Sequence, residues 1–264
     1  MWIGGLGCLM LAQTGCKKDA PKLGPKASPA PAIAPSATGD APASAKPSEK
    51  VARAVAELSK AWSAVTSFSG KITTKLPDAV GREGRTDGEG TYEAQRSGDK
   101  IQIRFELVNT LYFQTDWETK SMLVTAEVLR WVSDGDIMYQ STRQTNHYYK
   151  VTKTFYREDD VLQLPAPIVL RDLLRDHTLK LLPDEKLAGR ETTVIQATPI
   201  NGTWQETHYF DKATGIEVKH VEVDQDGKQT YLLTLTELKI DPEFEPDHFK
   251  FEMPKEAELI DKTK

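Results

Sequence analysis

Apolar and polar positions recur along this chain with two different periods. From Glu49 to Thr66 (EKVARAVAELSKAWSAVT), Val51, Val55, Leu58, Trp62 and Val65 return every three or four residues, while Lys50, Arg53, Glu57 and Lys60 fall elsewhere. That is the stripe of an amphipathic helix with Ser48 as its N-cap. Beyond Ser67 the period drops to two. Lys71 to Leu76, Gly90 to Arg96, Lys100 to Val108, Ser121 to Val132, Asp136 to Thr142 and Tyr148 to Thr154 read as strands. The cleanest alternation sets Ile101, Ile103, Phe105 and Leu107 on one face against Gln102, Arg104 and Glu106 on the other, as a half-buried antiparallel strand requires. Ser97-Gly98-Asp99 and Ser133-Asp134-Gly135-Asp136 supply turns, because Gly and Asp tolerate positive φ.

Pro165 to His177 (PAPIVLRDLLRDH) interrupts the strands with Ile168, Leu170, Leu173 and Leu174, a second helix. A second meander follows: Leu179 to Leu187, Glu191 to Pro199, Thr203 to Phe210, Ile216 to Asp224 and Gln229 to Ile240. It turns at Ala188-Gly189, Asn201-Gly202, Lys212 to Gly215 and Asp226-Gly227. Hairpins joining nearly every strand to the next imply one continuous, strongly curved antiparallel sheet or a barrel. The expected class is mainly β (α+β), in one domain from Glu49 to Lys264.

The residues before Glu49 change the picture of where this domain works. Met1 to Ala12 (MWIGGLGCLMLA) is apolar and uncharged, then Thr14-Gly15-Cys16 leads abruptly into Lys17-Lys18-Asp19. The stretch has the length of a secretory h-region and is too short to span a bilayer. Leu11 to Cys16 resembles a bacterial lipobox, which implies lipid attachment at Cys16 and a signal peptide over residues 1–16; Cys8 after Leu6-Gly7 is a second candidate. No Lys or Arg precedes residue 17, which a start upstream of Met1 would explain. Lys17 to Ser48 is Pro, Ala, Ser, Gly and Lys with almost no large apolar residue. It buries too little surface to offset the entropy of ordering and is expected to be a disordered tether. A lipid followed by a spacer and a water-soluble domain is a membrane-anchored arrangement, and more than one acyl chain makes such an anchor stable.

The later segments resemble the outer-membrane lipoprotein carrier and receptor superfamily (LolA/LolB-like). The residues that carry the likeness are Tyr209-Phe210-Asp211-Lys212-Ala213-Thr214-Gly215 with the strand and Asp226-Gly227 turn after it, and the helix ending in Trp62 to Gly70 before the first strand. Ser133-Asp134-Gly135-Asp136 before a Tyr-containing strand and the closing Phe249-Lys250-Phe251-Glu252-Met253-Pro254 add to it. The resemblance implies a half-open β-barrel with covering helices that holds acyl chains such as palmitate, a lipid or a lipoprotein between sheet and lid, in the bacterial envelope. With Cys16 it implies a lipidated member, anchored to the outer membrane with its domain in the periplasm. Ile101, Ile103, Phe105, Leu107 and Trp204 are the candidate cavity residues. The same apolar residues also fit a closed core, and with it an envelope protein-interaction or sensor module.

The formal charge is -5 with acids and bases interspersed, so no basic field invites nucleic acid. Both cysteines precede residue 17, which leaves the folded part without a disulfide or thiolate centre. No nucleophile elbow, phosphate loop or zinc-helix motif occurs, and the expectation is a binding protein with no catalytic residues and no cofactor. Of the five histidines, His147, His177, His208, His220 and His248, only His208 and His220 fall on neighbouring strands of one hairpin. The sequence supplies no third ligand at regular spacing, so no metal centre is expected. Asp159-Asp160 and Asp224 to Asp226 read as solvated loops.

Overall fold

The computed structural model describes residues 47–77, 84–98, 100–114, 122–144, 150–156, 164–255 and 257–264. Cys16, the tether up to residue 46, His147 and the Asp159-Asp160 pair lie outside them. Helix α1 (Glu49–Ser63) begins where Ser48 Oγ accepts the Val51 amide at 3.3 Å, and it buries Val51, Ala54, Leu58 and Trp62 along one stripe. It stops at Ser63 rather than Thr66. The Ala64 and Val65 amides reach back three residues, to the Ala61 and Trp62 carbonyls, and tighten the last turn.

The strands follow as β1 (Ser67–Pro77), β2 (Gly84–Ser97), β3 (Lys100–Gln114), β4 (Met122–Ser133), β5 (Ile137–Gln144) and β6 (Lys150–Phe155). Helix α2 (Ala166–Asp176) precedes β7 (His177–Leu181), β8 (Glu185–Leu187), β9 (Arg190–Pro199), β10 (Gln205–Asp211), β11 (Glu217–Val223), β12 (Gln229–Ile240) and β13 (Glu258–Asp261). All belong to one 13-stranded sheet in the order β13-β6-β5-β4-β3-β2-β1-β12-β11-β10-β9-β7, with β8 on β9. Among the described residues its terminal strands β13 and β7 are not paired with each other, so the continuous curved sheet that the pattern implies is the half-open, mainly antiparallel barrel with covering helices that the resemblance implies.

Three differences from the expected elements have local causes. β3 runs six residues past Val108 because its inner position after Leu107 is Asn109, which ends the apolar alternation while backbone pairing to β2 and β4 continues. The run Leu179 to Leu187 divides into β7 and β8 around Pro183, which has no amide to donate to a ladder. β13 is only four residues long, too short to show a period, and among the described residues it is the one parallel strand, lying along β6.

The inner face carries the core. Trp62 meets Phe68 edge-on at 5.9 Å, Phe68 stacks on Tyr92 at 5.5 Å, Tyr92 meets Phe105 at 6.0 Å and Phe105 tilts on Trp131 at 4.9 Å. One row of rings thus runs from α1 across β1, β2, β3 and β4. Further round the sheet, Leu58 of α1 and Ala166, Leu170 and Leu173 of α2 pack on Ile195, Ala197 and Phe210. On the outer face, the segment after β12 crosses the sheet: the His248 carbonyl accepts from Arg104, the His248 ring bonds Glu93 at 2.7 Å, and Phe251 stacks on Tyr139 at 4.6 Å.

The Asp211 to Gly215 turn is fixed between the helices. Thr214 Oγ1 donates to Asp211 Oδ2 at 2.7 Å, Arg190 donates to the same oxygen at 3.1 Å, and the Gly215 carbonyl accepts the Ala166 amide at the start of α2. Gly215 has φ +66°, a conformation that favours glycine.

Candidate functional site

The structure brings three of the five candidate cavity residues together. Ile103, Phe105 and Leu107 lie side by side on the inner face of β3 at 3%, 2% and 1% exposure, within the core that includes the aromatic row. Ile101, at the start of the same face, is only partly buried against that core. Trp204 is elsewhere: it precedes β10, and its indole N–H donates to Glu206 Oε1 at 3.0 Å.

That bond leads into a polar cluster on the inner face of β10 and β11. Strand pairing sets His208 directly opposite His220, rather than diagonal to it, and Glu206 opposite Glu222. Residues opposite each other in an antiparallel ladder share a face, so all four side chains point the same way. The two imidazoles stack with centroids 4.3 Å apart. His208 Nε2 is 3.2 Å from Glu206 Oε2, and His208 Nδ1 is 2.6 Å from Glu217 Oε1. His220 Nε2 is 3.9 Å from Glu206 Oε2 and 3.7 Å from Glu222 Oε1. His177, where α2 gives way to β7, brings Nε2 to 3.4 Å from Glu206 Oε1.

Glu217 and His220 are three residues apart, a spacing that puts side chains on opposite faces of a regular strand. Here the register shifts between Tyr209 and Phe210, so that Phe210 pairs with Glu217 while Tyr209 pairs with Lys219. The bulge returns Glu217 to the inner face beside His208.

Burial and charge divide the cluster. Burial works to lower the His208 pKa, but the charge of Glu217 and the hydrogen bonds to Glu206 and Glu217 outweigh it and push it up to about 9. His220 is pushed down to about 3 by burial and by the charge on His208. Burial would raise Glu206, yet His177, His208 and Trp204 around its charged form hold it below the ordinary carboxylate range. Glu222 is pushed up to about 7 by burial and by Glu206, and burial raises Glu217 against the attraction of His208. Tyr231, edge-on to His220 at 5.4 Å, is raised by the same desolvation.

Glu206, His208 and His220 each offer one ligand atom, all within 4.8 Å of one another, a geometry able to hold a metal ion. The carboxylates are what sequence reading leaves out. Glu206 has a legible signal, two residues before His208 in an alternating strand. Glu217 has none, because its facing depends on the bulge.

No family model matches the chain, and no curated protein matches it. Among solved structures it is similar to a chain of the Pseudomonas aeruginosa MucA/MucB complex, at 14% identity and a TM-score of 0.37, covering 77% of this chain and 61% of that one. An uncharacterised conserved protein from Thermus thermophilus matches at 11% identity and a TM-score of 0.41, over 81% and 99% of the two chains. A LolA superfamily protein from Nitrosomonas europaea matches at 10% identity and a TM-score of 0.25, over 75% and 97%. The likeness is one of fold. Among the described residues no helix is long and apolar enough to cross a membrane.

Proposed function

We propose that this chain is an envelope lipoprotein, anchored to the outer membrane through a lipid on Cys16, whose half-open barrel binds an acyl chain, a lipid or another lipoprotein between the sheet and helices α1 and α2. The observation that supports the reading is the seam beneath α1. A cleft of about 240 Å³ opens there, in which Ala54, Leu58 and Leu181 share the wall with Lys50, Arg53 and Glu57 and with the Lys212–Asp184 ion pair. Apolar surface beside a rim of both charges suits an amphiphile with a polar head. The cleft is smaller than the roughly 300–1,000 Å³ of a typical ligand site, so a full chain enters by displacing the helices, gaining about 0.8 kcal/mol for each CH₂ it buries.

The test is native mass spectrometry of the Cys16→Ser full chain, which carries no lipid anchor and is purified without detergent, with displacement of a fluorescent fatty acid. A co-purifying lipid and saturable displacement support the reading, and no saturable binding removes it. Fractionation of Cys16→Ser tests the anchor separately: the variant is expected in the soluble fraction, and its retention in membranes refutes the assignment of Cys16.

A second reading, a protein-interaction or sensor module with a closed core, is favoured by the filled inner face around Phe105. It predicts a dry protein and no lipid in the same spectrum.

A further inference from the structure

The polar cluster on β10 and β11 does not line the cleft beneath α1. Two histidines and a glutamate converge on the inner face of a β hairpin, where burying polar groups without partners is costly. His220 Nε2 is buried and makes no hydrogen bond in the structure. We propose that Glu206, His208 and His220 form a zinc site, with the Glu206 Oε2 and the two Nε2 atoms as ligands.

The spacing fits. Ligands about 2.0–2.1 Å from a tetrahedral zinc stand about 3.3 Å apart, and Glu206 Oε2 lies 3.2 Å and 3.9 Å from the two imidazole nitrogens. The outer shell fits as well. A zinc-bound histidine turns its other nitrogen to a carboxylate or carbonyl, which fixes the tautomer and orients the ring. Glu217 Oε1 is 2.6 Å from His208 Nδ1 and so leaves Nε2 for the metal. The Trp204 indole holds Glu206 Oε1, which turns Oε2 toward the histidines. The donor set of two imidazoles and one carboxylate suits zinc rather than calcium or magnesium, which take oxygen ligands. His177 and Glu222, each within 4 Å of a proposed ligand, stand ready for the fourth position.

The competing account is a salt-bridged network in which a protonated His208 sits between two carboxylates with no metal. The experiment strips the full chain with a chelator, dialyses the chelator away, and titrates Zn²⁺ against a chromophoric competitor, with Co²⁺ as a spectroscopic stand-in. The expected result is one Zn²⁺ per chain, a rise in Tm on zinc addition, and a visible Co²⁺ spectrum of tetrahedral intensity without thiolate charge transfer. Its absence of thiolate bands separates this site from Cys8 and Cys16. His220→Ala is expected to lose stoichiometric binding, Glu217→Gln to bind about 10–100-fold more weakly, and His248→Ala to bind as the unaltered chain does. Circular dichroism checks that each variant is folded. If His220→Ala is unfolded, the stoichiometry and Co²⁺ spectrum of the unaltered chain decide alone. A stripped chain that takes up no zinc, or a folded His220→Ala that still binds one equivalent, overturns the proposal.

Discussion

A β-carbon on Gly215 would stand 2.3 Å from the carbonyl oxygen of Leu58, so the turn between β10 and β11 meets α1 backbone to backbone. The contact explains why the Asp211-to-Gly215 motif ends in glycine. Gly215→Ala combines the strain of φ +66° with a clash against main chain that cannot swing aside, and is expected to cost about 1–3 kcal/mol. Gly227, at φ +78° with no neighbour near its α-carbon, provides the comparison: Gly227→Ala should cost only the conformational part, about 1 kcal/mol. Urea midpoints of the two variants measure the difference, and equal losses would mean that α1 does not press on Gly215.

The same turn depends on a buried charge. Asp211 is 2% exposed and accepts from Arg190, whose guanidinium also donates to the Leu238 carbonyl at 2.9 Å. Arg190→Met leaves Asp211 charged and buried with only Thr214 beside it. Removing one partner of such a pair costs about 3–5 kcal/mol. Equilibrium denaturation is the measurement, and Arg190→Met together with Asp211→Asn should recover part of the loss.

Along β3 the cost of truncation should follow the inner face. Phe105→Ala removes a ring in contact with both Tyr92 and Trp131 and is expected to cost about 3–5 kcal/mol. Val108→Ala, on the outer face at 41% exposure, should stay within about 0.5 kcal/mol. Thermal unfolding gives both values. A Phe105→Ala variant that stays as stable as its parent while losing fatty-acid displacement would make Phe105 a ligand wall.

Asp241 ties the start of β1 to the end of β12. Its carboxylate accepts the Thr66 amide at 2.8 Å, the Thr66 hydroxyl at 2.7 Å and the Ser67 amide at 3.1 Å, and these bonds hold its pKa below the ordinary carboxylate value. A lowered folded pKa contributes stability above the unfolded value of about 3.9, and the contribution disappears as pH falls through the folded value. Asp241→Ala should therefore be less stable than its parent at pH 7, and the gap should narrow below about pH 3.9. Denaturation at several pH values measures this; a gap that persists unchanged in acid would show that the charge of Asp241 has no role.

Periodicity and turn residues were enough to read the helices, most strands and one continuous curved sheet, because each depends on which face of a local segment is apolar; that the sheet stays half-open came from the resemblance. Ile103, Phe105 and Leu107 could be grouped from alternation alone. The polar cluster could not. Its assembly needs the His208–His220 register, the bulge that turns Glu217 inward, and His177 arriving from the far end of α2, none of which leaves a mark in spacing. Trp204 likewise has a role that spacing does not show: its N–H donates to the partly buried Glu206 carboxylate.

The order of strands in the sheet also has a consequence for how the molecule is assembled. Neighbours within β1 to β6 are hairpin partners in chain order, and so are β9 to β12. Only the β1–β12 seam and the β6–β13 edge join segments made far apart in time during synthesis. Local pairings close quickly, while distant ones wait on loop closure. Two meanders therefore form first, each with a bare edge, and the seam between Phe68 and Ile240 knits them afterwards. Until β12 pairs with it, β1 is an unpaired edge, and β6 is one until β13 joins it. In that interval the nascent chain is most open to pairing with another copy of itself.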